Sequence, residues 1–270
     1  PAAAIAERNK VLERMAQLGQ LTPERLRLAV DEPLGLRTRY PWSHAPHFVR
    51  RLSGSVSGEV RTTLDFELQQ VAKNAVEETV ASLNDWGVSH GSVLIVDNRT
   101  AEVLAYVGSA DWSADDGQVD AVMAKRSPGS TLKPFLVALA LQKGVGTLAT
   151  VQSDLPGNWS TTHGTWSPTN YDNSFSGPVL MRSALARSLN VPMVRLLEQV
   201  GVANFLRTLR DLGMTSLVER PEHYGLGLVL GDGEVRLDEL VGAYRALADE
   251  GRYRPLVFLA DDQQAEEPTA

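Results

Sequence analysis

Apolar residues recur every three or four positions through the first part of the chain, which is the period of an amphipathic helix. Gly19 interrupts this pattern. Thr22 followed by Pro23 is a favourable start for a second helix, because Thr is a good cap and Pro fits the first turn. We therefore predict two helices joined by a turn within residues 1–36. Residues 37–60 contain Pro, Gly, Ser and His with little periodicity, which is typical of a linker.

The rest of the chain mixes strand and helix patterns. Residues 60–64 form a short β-rich run, and Asp65 is a good cap for a helix that continues to Leu83. Two further β-rich runs, 92–97 and 102–107, flank a four-residue turn and predict a hairpin. The remaining predictions are helices at 179–189, 192–200, 202–212 and 236–250 and a mostly irregular segment at 145–178.

One predicted helix is apolar on every side. Residues 135–141 are all apolar, so this helix is expected to be buried, and Gly144 is expected to end it. Pro134 is compatible with the first turn, where no backbone acceptor is lost. Ser130 then lies at the exposed tip of a core helix, one turn before Lys133 and on the same face.

The Ser130-x-x-Lys133 pair suits nucleophilic catalysis. A serine hydroxyl is a weak nucleophile until a base takes its proton, and a lysine can be that base if its pKa is lowered. Free backbone N–H groups at the start of a helix can stabilise an oxyanion. The spacing alone is weak evidence, since roughly one Ser-x-x-Lys is expected by chance in a chain of this length. The alternative is a solvated helix start with a capping serine.

A second candidate, Ser188-x-Asn190, lies where the predicted helix 179–189 ends before Pro192. A hydroxyl and an amide that project from such a turn can relay a proton and hold a substrate carbonyl. The alternative is a helix-ending turn whose polar groups satisfy one another. Neither motif is specific by itself, but the two occur at element boundaries and in a meaningful order.

Composition limits the classes of function. The chain has 270 residues, of which 43% are hydrophobic and 22% charged, and this describes a globular protein. The net charge of −7 argues against nucleic acid as a partner, and the longest apolar run is too short to span a membrane. The absence of cysteine excludes disulfides and thiol catalysis. We expect no cofactor and no metal ion.

Ser130-x-x-Lys133 followed by Ser188-x-Asn190 resembles the motif set of the penicillin-recognising serine enzymes. The segment 126–135 is similar to the nucleophile segment of class A penicillin-binding proteins, closest to the 1C type. Further similarity to that family is found at 61–65, 96–109, 170–172, 187–192 and 237–251.

The resemblance implies a domain organisation and a fold. Residues 1–36 resemble the last helices of the glycosyltransferase domain that precedes the transpeptidase domain in this family. Residues 37–60 would be the linker and 61–270 the penicillin-binding transpeptidase domain. The implied fold class is α/β (α+β), with an antiparallel sheet between helical layers. The implied location is the periplasmic face of the bacterial inner membrane, with the membrane anchor outside this chain.

The resemblance also implies a reaction, peptidoglycan D,D-transpeptidation by a bifunctional enzyme that is also a glycosyltransferase. Ser130 would attack the carbonyl between two D-alanines of a stem peptide while Lys133 takes its proton. Ser188 would protonate the departing D-alanine, and Asn190 would orient the substrate amide. An amine from a neighbouring stem would resolve the acyl-enzyme, and β-lactams would acylate the same serine. The implied partners are peptidoglycan stem peptides, β-lactam antibiotics and other cell-wall synthesis proteins.

One motif of the family is not found. Its members carry Lys-Thr-Gly or Lys-Ser-Gly on a strand beside the nucleophile, and none of the lysines here begins such a triplet. We expect the chain to stop before this strand, so that acylation is slow and the 92–107 hairpin has an open edge and an uncovered face. Two alternatives stay open. One is a D,D-carboxypeptidase or β-lactamase-type hydrolase, and the other is a non-catalytic fragment that binds peptidoglycan or partner proteins.

Overall fold

The computed structural model describes residues 2–32, 43–161 and 164–260. Contacts divide the chain into two compact units, Pro1–Ser43 and His44–Ala270. The first unit contains helices α1 (Ala2–Gln17) and α2 (Pro23–Asp31). The Thr22 hydroxyl caps α2 by accepting a hydrogen bond from the Arg25 N–H at 3.3 Å. The predicted pair of helices is confirmed, while residues 33–42, including the start of the expected linker, lie outside the described residues.

The second part of the expected linker contains a short helix, α3 (Pro46–Leu52). Phe48 of this helix is buried and meets the Tyr106 ring edge-on, with the ring centroids 5.7 Å apart. Helix α3 is therefore part of the core of the second unit. Seven residues are too few for a helical period to stand out from the surrounding Pro, Gly and Ser.

The predicted hairpin is confirmed as β1 (Val93–Val96) and β2 (Val103–Val107), which pair antiparallel. Asp97 shapes the turn, because its carboxylate accepts the N–H groups of Arg99 and Thr100 at 2.8 and 2.9 Å. The strand predicted at 60–64 is wrong in extent, since the structure has only a single bridge there, between Thr62 and Leu259. That segment finds one partner residue rather than a strand with which to form a ladder.

The hairpin is better covered than the sequence suggested. Helix α4 (Phe66–Ser82) packs against β2, and helix α10 (Leu237–Ala248) packs against β1. Asp65 caps α4 as predicted, by accepting the Leu68 N–H at 2.8 Å. All residues of β2 except Leu104 are buried, so the expected uncovered face is wrong for this strand. Within the described residues no strand pairs with the outer edge of β1.

The core of the second unit is built on the predicted apolar helix. A 3₁₀ turn, Gly129–Leu132, leads into α5 (Lys133–Gln142), in which six of ten residues are buried. Helices α7 (Asn190–Val200) and α8 (Val202–Asp211) pack against α5. The prediction of a buried helix that begins near Ser130 is confirmed, because an all-round apolar surface has to be covered on every side.

The segment predicted to be irregular contains four strands. Strand β3 (Val151–Asp154) pairs antiparallel with β6 (Gly177–Leu180), and β4 (Trp159–Thr161) pairs with β5 (Gly164–Trp166). The predicted helix 179–189 therefore begins as a strand and continues as the shorter α6 (Met181–Ala186). These strands have three or four residues each, and β3 directs the polar Gln152 and Asp154 inward, so no apolar alternation marks them.

The last part of the unit completes the helical layers. It contains α9 (Pro221–Tyr224), a 3₁₀ segment at Gly225–Leu230 that packs against α7, and then α10. The unit combines helices with small antiparallel two-stranded sheets, and the predicted α/β (α+β) class is confirmed.

Candidate active site

The turn before α5 is pinned to the backbone of a distant glycine. The Ser127 hydroxyl donates to the carbonyl of Gly231 at 2.7 Å and accepts the Gly129 N–H at 3.3 Å. Gly231 has a φ of +102°, and a Cβ atom there would lie 2.4 Å from the Gly129 nitrogen. Only glycine fits this contact, which holds the turn with Ser130 exposed at its surface.

Lys133, at the first position of α5, is buried and fully hydrogen bonded. Its side chain is 1% exposed. Nζ donates to the Ser188 carbonyl at 2.7 Å, to Asn190 Oδ1 at 2.7 Å and to Ser188 Oγ at 3.2 Å. These three acceptors match the three N–H bonds of an ammonium group. In the described part of the chain no carboxylate forms an ion pair with Lys133.

Burial lowers the pKa of the Lys133 amine to about 8. The charged form is penalised because the surroundings solvate it less well than water does. At pH 7 roughly one such amine in ten is therefore neutral, against fewer than one in a thousand for an exposed lysine. The site thus holds an amine that can accept a proton near neutral pH.

Ser188 and Asn190 reach Lys133 from the junction between α6 and α7. Ser188 has a φ of +54°, in the left-handed region that non-glycine residues rarely adopt. Its carbonyl and its hydroxyl both lie within hydrogen-bond distance of the lysine amine. Asn190 is the first residue of α7. The structure therefore brings together three of the four sequence candidates, which lie up to 57 positions apart.

Ser130 occupies the 3₁₀ turn that leads into α5, three residues before Lys133. No hydrogen bond joins Ser130 Oγ to Lys133 Nζ, both of which are described, since the amine is directed to Ser188 and Asn190. The amine nevertheless lies in the protein interior rather than in solvent. A hydrogen bond between the two requires another side-chain conformation of Ser130, of Lys133 or of both, and the four-carbon stem of lysine is flexible.

Sequence reasoning missed the groups that hold this arrangement. Asn170 Oδ1 accepts the Asn190 N–H at 2.8 Å, and Asn170 Nδ2 donates to the buried Asp154 at 2.8 Å. The Tyr244 hydroxyl donates to the Thr131 carbonyl at 2.8 Å, next to Ser130. Asn170 was visible only as part of the resemblance, and no local pattern marks Asp154. Each contact joins distant parts of the chain, which a periodic signal cannot reveal.

Two further features concern other classes of site. In the residues that the structure describes, no three His, Asp or Glu side chains are grouped so that they could hold a metal ion. Across the same residues, none of the helices combines the length and the apolar character needed to cross a bilayer.

Residues 91–269 match the family described as penicillin binding protein transpeptidase domain. Penicillin-binding protein 1C of Escherichia coli K12 is 36% identical over 99% of this chain, which covers 34% of that protein. Penicillin-binding protein 2D of Bacillus subtilis 168 is 30% identical over 94% of this chain and 38% of its own length. The chain thus spans little more than a third of these two relatives.

Solved structures show the same fold. Penicillin-binding protein 1A of Haemophilus influenzae superposes with a TM-score of 0.66 at 18% identity, covering 94% of this chain and 53% of that one. PonA1 of Mycobacterium tuberculosis, in complex with penicillin V, gives a TM-score of 0.62 at 23% identity, covering 93% and 61%. With the family match over most of the second unit, the chain belongs to the penicillin-binding protein transpeptidase family, in its class A branch.

Proposed function

We propose that the protein containing this chain is a peptidoglycan D,D-transpeptidase that acts through an acyl-enzyme on Ser130. One observation carries the proposal: a buried lysine amine lies between Ser188 and Asn190, at the start of the helix that Ser130 precedes. Membership of a transpeptidase family supports assigning acyl transfer to this arrangement.

The first step is attack by Ser130 Oγ on the carbonyl between two D-alanines, while Lys133 takes the hydroxyl proton. An amine with a pKa of about 8 is a competent base near neutral pH, because it is partly neutral and still basic enough to hold the proton. Backbone N–H groups at the start of a helix have no intrahelical acceptor, so the Ser130 N–H is a candidate donor to the oxyanion.

The second half of acylation returns the proton to the leaving group. Ser188 Oγ lies 3.2 Å from Lys133 Nζ, a distance over which a proton can be relayed. The departing D-alanine takes that proton, and the acyl group stays on Ser130. Asn190 orients the substrate amide. Both polar atoms of the Asn190 side chain are already hydrogen bonded, so the substrate has to replace one of these two partners.

An amine from a neighbouring stem peptide then attacks the acyl-enzyme and forms the cross-link. Water as the acceptor would instead give a D,D-carboxypeptidase or a β-lactamase-type hydrolase, with the same chemistry at Ser130. A protein that only binds peptidoglycan or partner proteins would not use this chemistry at Ser130. The buried, low-pKa amine favours an enzyme over such a scaffold.

For the whole protein we propose a bifunctional glycosyltransferase and transpeptidase at the periplasmic face of the bacterial inner membrane, anchored outside this chain. The two helices of the first unit would be the end of the glycosyltransferase domain, and residues 61–270 the penicillin-binding domain. Helix α3, from the segment between them, packs into the core of the latter. The compact unit that begins at His44 is compatible with a boundary in the segment between them. β-Lactams and other cell-wall synthesis proteins are the further partners.

The test is covalent labelling followed by product analysis. The complete protein should be acylated by a fluorescent penicillin, with the label on Ser130 in a peptide digest. Incubation with a D-alanyl-D-alanine stem peptide and an amine acceptor should give the cross-linked product. Release of free D-alanine without a cross-link would replace transpeptidation by hydrolysis, and labelling at another residue would overturn the site.

A further inference from the structure

The start of α7 is capped by a side chain from a different part of the chain. Asn170 Oδ1 accepts the N–H of Asn190 at 2.8 Å and that of Val191 at 3.4 Å. The residue at the usual capping position, Leu189, makes no side-chain cap. Asn170 thus caps a helix that has no capping side chain of its own. The N–H that it accepts belongs to Asn190, whose side chain binds Lys133.

The orientation of the Asn170 amide is determined by its partners. Asn170 is 3% exposed, and its Nδ2 donates to Asp154 Oδ1 and to the Ser174 carbonyl, both at 2.8 Å. A flipped amide would place two N–H donors against the backbone N–H groups of α7 and its oxygen against a carboxylate. Only one orientation satisfies all four positions.

The Asn190 amide is fixed in the same way. Its Nδ2 donates to the Thr169 carbonyl at 2.8 Å, so its Oδ1 is directed to Lys133. The loop that carries Thr169 and Asn170 therefore contacts Asn190 twice, once at the backbone and once at the side chain. The orientation of the Asn190 side chain depends on where this loop lies.

Asp154 holds the loop at both ends. Its side chain is fully buried, Oδ1 accepts from Asn170 Nδ2, and Oδ2 accepts the Ser176 N–H at 2.8 Å. Among the described residues it has no salt-bridge partner. A buried carboxylate is costly unless hydrogen bonds compensate it, and both bonds made here go to the loop that positions Asn190.

We infer that Asn170, clamped by Asp154, is a positioning residue that orients Asn190 and through it the Lys133 amine. The inference rests on the proposed acyl transfer for its functional meaning, but its structural part can be measured without activity. Neither Asn170 nor Asp154 reaches Lys133 directly, since every hydrogen bond of the Lys133 amine goes to Ser188 or Asn190.

The two residues allow an exchange experiment. Asp154→Asn places a donor against either Ser176 N–H or Asn170 Nδ2, and Asn170→Asp places a second carboxylate against Asp154. The double variant carries both changes. Its Asn at 154 donates to the Asp at 170 and accepts from Ser176, so the bond is restored with reversed polarity. The bond to the Ser174 carbonyl is not restored, because that carbonyl oxygen then faces a carboxylate oxygen in place of Asn170 Nδ2.

The matched control is Asp172→Asn. Asp172 lies in the same loop and accepts two hydrogen bonds from Ser174, but it is exposed and has no contact with Asn190. A general weakening of the loop should appear in this control as well. Asn170→Ala is a milder second variant, for the case in which the charged single variants do not fold by circular dichroism.

The direct readout is the rate at which the Lys133 ammonium protons exchange with water. NMR measures this rate at pH 6 on protein that contains ¹⁵N-labelled lysine. All five lysines of the chain lie among the described residues, and Lys133 is the only buried one, so Lys133→Met identifies its signal. The wild-type Lys133 signal should exchange more slowly than the other four. Asn170→Ala, Asp154→Asn and Asn170→Asp each lose about one hydrogen bond, so the Lys133 protons should exchange roughly fivefold faster in these variants than in wild type. Asp172→Asn should not change the exchange rate, and the double variant should recover most of the protection.

The second readout is acylation of the complete protein by a fluorescent penicillin, separated into Kd and the acylation rate constant. The rate constant should fall in the single variants with Kd unchanged, and recover in the double variant. If the Lys133 exchange rates follow the expected pattern but the penicillin labels neither wild type nor any variant, the positioning role of Asn170 stands and the proposed reaction fails. Unchanged Lys133 exchange in Asn170→Ala, or a double variant no better than the singles, would overturn the positioning.

Discussion

Lys133 Nζ lies 2.7 Å from Asn190 Oδ1, although the two residues are 57 positions apart in the chain. With the two contacts to Ser188, this bond satisfies the amine while the surrounding core removes it from water. The three acceptors therefore hold the ammonium group in place, while burial makes this ammonium more acidic than that of an exposed lysine.

The rate of acylation should depend on the protonation of Lys133. In the proposed reaction the neutral amine accepts the Ser130 proton, and burial lowers the pKa of Lys133 to about 8. We expect the acylation rate of the complete protein by a fluorescent penicillin to rise about tenfold per pH unit below pH 8 and to level off above it. A rate that is constant from pH 6 to pH 9 would exclude Lys133 as the titrating base.

The same pKa shift should appear in stability. The pKa of Lys133 is lower in the folded chain than in the unfolded chain, from 10.5 to about 8, so the unfolded state binds one more proton between these two values. The free energy of unfolding should therefore rise with pH across that window, by about 3 kcal/mol in all. Below pH 8 the destabilisation by the buried ammonium is fully present and no longer varies with pH.

The measurement is urea unfolding at pH 7.5 and at pH 10.5, on wild type and on Lys133→Met. Methionine keeps the length of the side chain but does not titrate, so the difference between the two proteins isolates the lysine. Wild type should gain stability relative to the variant at the higher pH. Parallel pH profiles for the two proteins would contradict a lowered pKa.

Ser130 should be the only residue that a penicillin acylates. Ser130→Ala should abolish labelling, and Ser127→Ala, which changes a neighbouring hydroxyl bonded to Gly231, should slow it without abolishing it. Labelling of this 270-residue chain should itself be slow, because no lysine in it begins the third motif of the family. Labelling of Ser130→Ala, or labelling of the isolated chain at the rate of the complete protein, would count against these expectations.

Gly231→Ala should distort the turn that carries Ser130. Its φ of +102° strains an L residue, and the added methyl group would lie 2.4 Å from the Gly129 nitrogen. We expect a loss of about 1–3 kcal/mol in the free energy of unfolding, together with slower acylation, because the turn has to move. Gly54→Ala is the control, since a Cβ there meets nothing within 4 Å and its φ is not positive. Equal effects of the two substitutions would show that the close contact is unimportant.

Local elements were readable from the sequence because their signals are local. The caps at Thr22 and Asp65, the 93–107 hairpin and the all-round apolar helix after Ser130 each depend on residues within one or two turns of one another. The strands between 151 and 180 were not readable. Strands β3 and β6 pair across more than twenty residues, and β4 and β5 have only three residues each. The inward side chains of β3 are Gln152 and Asp154 rather than an apolar series.

The sequence by itself determined which chemical groups are present, the order of the two motifs and the placement of Ser130 and Lys133 one turn apart at the start of a buried helix. Only the tertiary structure decided that the Lys133 amine is directed to Ser188 and Asn190, with Asn170 and Asp154 behind them. The physical reason is that hydrogen bonding and desolvation of this amine depend on packing between segments some twenty to sixty residues apart, which leaves no periodic trace in the chain.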